Sequence, residues 1–424
     1  YPIPYEYDCC STCRESFPHR IVYSQTSFSE ELTDNFKKFL PNNYKDLSGE
    51  TGPINNMFVQ NNRLYLHTSE ALWMQPNSYQ ERVTNEIVSF IGTGSLLESS
   101  AQKLIDDSTG KSAGIQHKWS ASQFAYGYVF VSVNEKNIYL FDGKFDILSD
   151  KGLSSWFNNN ITDLKDLPYN YEGYITTYDT KKKRILVTKN TGNEKTSWTV
   201  SYSLEYKAWI SYHSYIPNIY ITSGVNLYTW KKDLKYLWKH NIPNNYQTFY
   251  NIRYPHIIEY VSNISPAETK VWNALKIQTE VKEFNSVTKS YNISETETYN
   301  KIILYNSRQC SGELNLELKS TDEEDSMMSW IQDKKDDYIT IARKEKDWFI
   351  NDFRDYRIKY NEPIWRDINS YNKELNISTI DFNKDWTQLE YFRDKYLNIR
   401  LIFDKFADKK IIFNTSSEDI DVSK

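Results

Sequence analysis

The chain has 424 residues, 39% of them hydrophobic and 25% charged, with a formal net charge of -5 and a pI near 5.8. That composition excludes a disordered chain, and the length calls for two or three domains. The acidic balance argues against a surface that grips nucleic acid, which needs clustered Lys and Arg. No apolar run reaches transmembrane length, and no charged leader with an apolar core opens the sequence. Its first residue is Tyr1, as expected of a processed product or of a piece of something longer. Aromatic content is high at 16%, with 34 Tyr, 20 Phe and 12 Trp, and Tyr and Trp suit half-buried strands and interfaces better than a helical core.

In chain order, the first feature is "CCSTC", where Cys10 and Cys13 form one CxxC beside Cys9. A zinc site needs four ligands; only His19 is near and Cys310 is distant, so these are read as free thiols. Ser29 is placed to cap "EELTDNFKKFL", which predicts a helix over 29–40. Strand, turn, strand patterns then begin at Met57, Tyr128, Tyr174 and Ile219, the last three 46 and 45 residues apart. That spacing is the length of a four-stranded propeller blade. The longer first interval falls on "IGTGSLLESSAQKLIDDSTGKSAG", read as a long excursion, and a short helical turn is expected at 153–159.

The most aromatic stretch is "SYSLEYKAWISYHSY", residues 201–215. Tyr202, Leu204 and Tyr206, then Ile210, Tyr212 and Ser214, recur at every second residue, the period of a strand and not of a helix. It predicts a hairpin with its turn at Glu205–Ala208 and Trp209 opening the second strand. The basic run Lys181–Arg184 lies between two predicted strands and reads as a solvated turn. Beyond Pro266 the strands "VWNALKIQTEV", "YNKIILYNS" and "ELNLELK" lose the blade spacing. An acidic segment at 320–337 lacks the order of a calcium loop and reads as a linker, and Leu397–Asp404 and Lys410–Asn414 read as a closing strand pair.

No catalytic motif emerges. There is no Gly-x-Ser-x-Gly elbow, no His-Glu-x-x-His and no phosphate-binding loop; "GTGS" at 92–95 has no following Lys. The six histidines, His19, His67, His117, His213, His240 and His256, stand singly. "SGVNLYTW" at 223–230 lacks the Asp and Gly of a sialidase turn, and the Asn-x-Ser/Thr triplets at Asn160 and Asn376 are what so Asn-rich a chain gives by chance. The expectation is a protein that is not an enzyme, with no catalytic, cofactor-binding or metal residues and no cofactor.

Taken together, "FKKFLPNNYKDLSGETGPI", "NNRLYLHTSEALW", "IGTGSLLE", "YGYVFVSVNEKNIYLFDG", "LSDKGLSSWFNNN", "SYSLEYKAWISYHSYIPNIYI" and "FRDKYLNIRLIFD" span most of residues 25–405. Their order resembles the tail nozzle, or muzzle, proteins of short-tailed, crAss-like bacteriophages. The resemblance implies a mainly β fold, a β-propeller platform with additional β domains. It divides the chain into an N-terminal segment after a processing site (1–50), a propeller-like repeat region (51–265), an additional β region with the acidic linker (266–340) and a C-terminal β segment (341–424). It further implies a structural protein of the virion tail, assembled in the host bacterial cytoplasm as a homo-oligomeric ring of six. Adaptor or ring proteins and tail fibres or spikes would be its partners, and genomic DNA would pass through without specific binding. Two features depart from the pattern: the chain is shorter than the nozzles of large crAss-like phages, and "CCSTC" is not part of it. The alternative is a glycan-binding β-propeller on a cell or virion surface, with Trp73, Trp230 or Trp238 stacking on sugars.

Overall fold

The computed structural model describes residues 16–25, 34–76, 79–82, 88–91, 97, 99–167, 170, 172–243, 245–285, 287–318, 338–351, 354–355, 389–404 and 409–422. The protein is mainly β and divides into two compact units, Tyr1–Lys239 and His240–Lys424. The "CCSTC" segment, the triplet at Asn376, "GTGS" and the acidic 320–337 stretch lie outside the described residues.

The first unit opens with a two-stranded ladder of β1 (Arg20–Val22) and β2 (Tyr44–Asp46). Arg20 closes it by donating to both carboxylate oxygens of Asp46, at 2.7 and 2.8 Å, while its guanidinium lies between the Phe17 and Tyr44 rings. Four antiparallel meanders follow in chain order. The first is β3 (Ile54–Gln60), β4 (Arg63–Thr68) and β5 (Leu72–Gln75). A side hairpin of β6 (Tyr79–Arg82) and β7 (Val88–Ile91) intervenes before β8 (Gln102–Lys103) returns as the fourth strand. The second is β9 (Ala121–Phe124), β10 (Gly127–Ser132), β11 (Asn137–Phe141) and β12 (Phe145–Ile147). After α1 (Ser154–Asn160) comes the third: β13 (Gly173–Asp179), β14 (Arg184–Asn190), β15 (Trp198–Ser203) and β16 (Ala208–His213). The fourth has three strands, β17 (Ile219–Ser223), β18 (Asn226–Trp230) and β19 (Trp238–Lys239).

Local chemistry explains these hairpins. Asn61 and Asn62, with φ of 49° and 59°, make the two-residue β3–β4 turn, whose mirror-type geometry matches strand twist and which Asn tolerates. The basic run forms the β13–β14 turn, where Lys183 takes φ 50° and Arg184 pairs with buried Asp179 at 3.1 Å. The aromatic hairpin pairs Tyr202 with Trp209, but Leu204 and Tyr206 fall in the turn itself, and Tyr206 is 74% exposed. The repeat landmark at Tyr128 belongs to the second strand of its sheet. The short first strand β9, "ASQF", shows no alternation strong enough to be read.

Of the helix expected over 29–40, only a 3₁₀ turn at Asn35–Lys37 lies among the described residues. Asp34 makes no side-chain cap there, and Phe36, Phe39 and Leu40 are exposed. With no apolar face docked, so short a helix lacks the packing that would sustain it. The turn expected at 153–159 is α1.

In the second unit a small hairpin of β20 (Thr248–Phe249) and β21 (Ile252–Arg253) precedes a ten-stranded sheet. Its strands are β22 (His256–Ser262), β23 (Lys270–Asn285), β24 (Ser290–Ser294), β25 (Lys301–Tyr305), β26 (Leu314–Leu318), β27 (Tyr338–Lys344), β28 (Asp347–Asn351), β29 (Phe392–Asp394), β30 (Leu397–Phe403) and β31 (Lys409–Val422). Their order is β22-β30-β25-β26-β27-β28-β23-β24, with β29 and β31 also on β23; only β26 and β27 run parallel. The sheet curls into a half-barrel around one core that includes Trp272, Tyr299, Trp348 and Leu401. The closing strand pair is thereby corrected. β30 and β31 are both strands but do not pair with each other: β30 lies between β22 and β25, and β31 runs along β23 from Glu283↔Lys409 to Lys270↔Val422. Each finds a long antiparallel partner elsewhere in the sheet.

Candidate interaction surfaces

The titratable and aromatic groups of the first unit act as ties between sheets. His67 on β4 is fully buried: its Nε2 lies 2.8 Å from the Ala113 carbonyl and its Nδ1 3.1 Å from the Tyr128 hydroxyl. Asn56 donates to the same hydroxyl at 3.0 Å. The consistent proton arrangement has Asn56 donating to Tyr128, Tyr128 to Nδ1, and Nε2–H to Ala113. Burial holds the His67 pKa down at about 3, so the ring is neutral, and burial also raises that of Tyr128 well above the usual phenol range. Around this chain Phe58 stacks on Tyr128 with ring centroids 3.8 Å apart, joining the first two meanders in one apolar cluster. Gly114 lets the connecting loop pass: a Cβ there would sit 2.1 Å from the Ser69 carbonyl oxygen.

A second tie is Lys189 on β14, only 6% exposed. Its ammonium donates to the Asn160 carbonyl, at the end of α1, at 2.9 Å and to Thr162 Oγ1 at 2.7 Å. A cation suits a helix C-terminus, while burial lowers its pKa to about 8. Nothing in "RILVTKN" distinguishes this lysine from a surface one; the signal is the fold alone. Asn160, the acceptor's residue, is itself buried, which accounts for its triplet as chance. Thr188 Oγ1 meets Thr199 Oγ1 at 2.9 Å and Tyr220 hydroxyl at 2.6 Å, tying the third meander to the fourth.

The rings of the aromatic hairpin are part of the same construction. Trp209 donates from Nε1 to the Leu148 carbonyl at 2.9 Å and packs on Phe157 of α1 at 4.7 Å. The three tryptophans considered for sugar stacking are half-buried on β5, β18 and β19 and form no common platform. Trp238 stands opposite Thr229, so by strand alternation Trp230 and Trp238 project from opposite faces of one sheet, and Trp73 belongs to another.

The histidines do not converge. His117 lies 3.5 Å from Asp166 and edge-on to Tyr174; His240 packs on Phe249; His256, its pKa lowered by burial, lies 3.5 Å from the Tyr299 hydroxyl. Among the described residues no three His, Cys, Asp or Glu side chains are grouped to hold a metal, and no helix is long and apolar enough to cross a membrane. Cys310 is buried, its backbone N–H donating to Asp355 Oδ1 at 3.0 Å.

Polar groups that bind sheet to sheet, with aromatic cores around them, define a mainly β protein of small meanders and one curled sheet. The Crassvirus muzzle protein model matches residues 5–233, and the model of the Crassvirus muzzle protein C-terminal domain matches residues 244–355. The chain belongs to the Crassvirus muzzle protein family. It is 22% identical over 297 residues to the muzzle protein of Bacteroides phage crAss001, a match covering 69% of this chain and 20% of that relative.

Proposed function

We propose that the chain is a subunit of the ring that forms the distal nozzle of a short phage tail. The ring retains packaged DNA, passes it with ejected cargo during infection, and gives other tail parts a place to attach. The observation that carries this reading is the family coverage: the two muzzle matches, 5–233 and 244–355, meet beside the junction of the two compact units at Lys239 and His240. The four consecutive meanders are suited to be blades of a propeller platform. β13 lies beside both β9 and β17, so the first strands of successive sheets neighbour one another as inner strands do around a propeller axis.

A ring of identical subunits closes by heterologous contacts between two different patches, of the kind that bury Tyr and other large apolar side chains. Exposed Tyr206, Tyr236 and Val287 are residues of that type. The net charge of -5 suits a channel that releases DNA, since each Lys or Arg contact to phosphate would add to a salt-dependent hold. Six copies, an adaptor above and fibres or spikes alongside follow the family resemblance, with assembly in the host cytoplasm. Electron cryomicroscopy of virions, or of the purified protein bound to its adaptor, tests the reading. A ring of this subunit about the tail axis supports it; absence from virions, with a monomer in solution, overturns it.

A further inference from the structure

A groove opens at the turn ends of the second meander. Tyr126, Leu140, Asp142, Lys144, Phe145 and Asp146 line it, and its cavity volume is about 520 Å³. Its apolar part is the half-buried pair Leu140 and Phe145. Tyr126 is 58% exposed, a large aromatic surface left open on an otherwise packed sheet. It stands on a firm base: its ring meets Tyr178 edge-on at 6.0 Å, and Tyr178 stacks on Phe124 at 4.5 Å. The β9–β10 turn that presents it is fixed by Gly127, at φ 144°, where a Cβ would lie 2.7 Å from the Phe141 carbonyl oxygen.

The polar groups are held but not saturated. Asp142 accepts from Gln60 Nε2 at 3.0 Å and Asp146 pairs with Lys151 at 2.6 Å, and a carboxylate has room for several further donors. Gln60 Oε1, beside Asp142, is buried and accepts no hydrogen bond. The charges of Asp142 and Asp146 are balanced by Lys144 and Lys151, so the groove selects for neither a cation nor an anion. An aromatic face, a short apolar floor and flanking hydrogen-bonding groups with no net charge fit an uncharged molecule that is apolar on one side and rich in hydroxyls around its edge.

We propose that this groove binds a neutral saccharide. The C–H face of a pyranose lies on Tyr126, its hydroxyls donate to Asp142 and Asp146, and Lys144 donates to a ring or hydroxyl oxygen. The volume, within the usual 300–1,000 Å³ range of ligand sites, holds about two sugar rings. This is a binding activity of the subunit independent of ring formation, and it survives or fails whatever the oligomeric state.

Saturation-transfer NMR of the purified chain with cellobiose, maltose, lactose and N,N′-diacetylchitobiose tests it. At least one sugar is expected to show saturable transfer concentrated on its C–H protons. Tyr126→Ala abolishes that signal, Tyr126→Phe retains it, and Asp142→Asn weakens binding about tenfold, the loss of one charge-assisted hydrogen bond. Circular dichroism confirms that each exposed-site variant keeps its fold; if Tyr126→Ala does not, Asp142→Asn against Tyr126→Phe decides alone. No saturable transfer from any of the four sugars overturns the proposal, as does transfer indifferent to Tyr126→Ala and Asp142→Asn. So does binding of a poly-lysine peptide that Asp142→Asn abolishes, which would make the groove a cation site.

Discussion

The two units solve the same problem, burying aromatic β sheet, in opposite ways. The first divides its strands among small meanders, each a run of neighbours in sequence, and ties one sheet to the next with buried polar groups such as Tyr128, His67 and Thr188. The second commits ten strands to one curled sheet around one core, with partners as distant as His256 and Phe403 or Lys270 and Val422. A meander's pairings are local and cheap in loop entropy, but each small sheet depends on the next to cover its faces. A single long-range sheet needs few ties because its core is shared, and any hole in that core is felt along its length.

The hardest test of that contrast is Trp272→Ala. Trp272 is fully buried in the shared core and donates to Ser262 Oγ at 3.2 Å. Its removal is expected to cost about 3–5 kcal/mol, and hydrogen exchange should accelerate across strands from β22 to β31 together. Acceleration confined to β23 would show that the sheet is not one cooperative core.

Next in size is a pH effect in the first unit. The folded-state pKa of His67, about 3, lies below its ordinary 6.5, so the unfolded chain takes up the proton first. The stability this neutral ring contributes is complete above pH 6.5 and is lost as pH falls towards 3, by a few kcal/mol in all. Melts of wild type and His67→Gln between pH 7 and 4 should converge on acidification; parallel curves would mean that His67 is not the buried titrating group.

Tyr128→Phe is expected to cost about 1–3 kcal/mol, because His67 Nδ1 and Asn56 both lose their partner inside the protein. Its exchange signature should stay within the first two meanders, whose cluster holds this ring. Spread through the third and fourth would erase the distinction between stacked sheets and a shared core. The smallest effect belongs to Lys276→Ala, which removes a partly exposed ion pair with Asp347 at 2.7 Å and should change stability by at most about 1 kcal/mol. A larger loss in urea titration would make side-chain ties as important in the second unit as in the first.

Much of the local structure was legible. Period-two alternation located β13, β14, β15, β16, β17 and β18, and Asn, Gly and Lys at turn positions marked where they reverse. Tyr202 and Trp209 were correctly placed on opposing strands. Leu204 and Tyr206 kept the strand's alternation into the turn, which pattern alone cannot distinguish from a longer strand. β9 escaped because four residues carry too little periodicity. The candidate groove was not legible at all: Tyr126, Leu140 and Asp146 lie on three different strands and turns, and only sheet register brings them to one end of the meander.

The sequence by itself determined a mainly β chain of strand and turn units, because side-chain alternation and turn chemistry act over a few residues. Its segment order also carried the resemblance to the muzzle family that the family models establish. The tertiary structure alone decided that β30 and β31 seek distant partners and that Lys189 is buried at a helix end. It alone left Tyr126 open while Tyr128, two residues on, is sealed in the core. Burial and pairing across the chain depend on which surfaces meet, and that is a property of the whole packed fold, not of any window of its sequence.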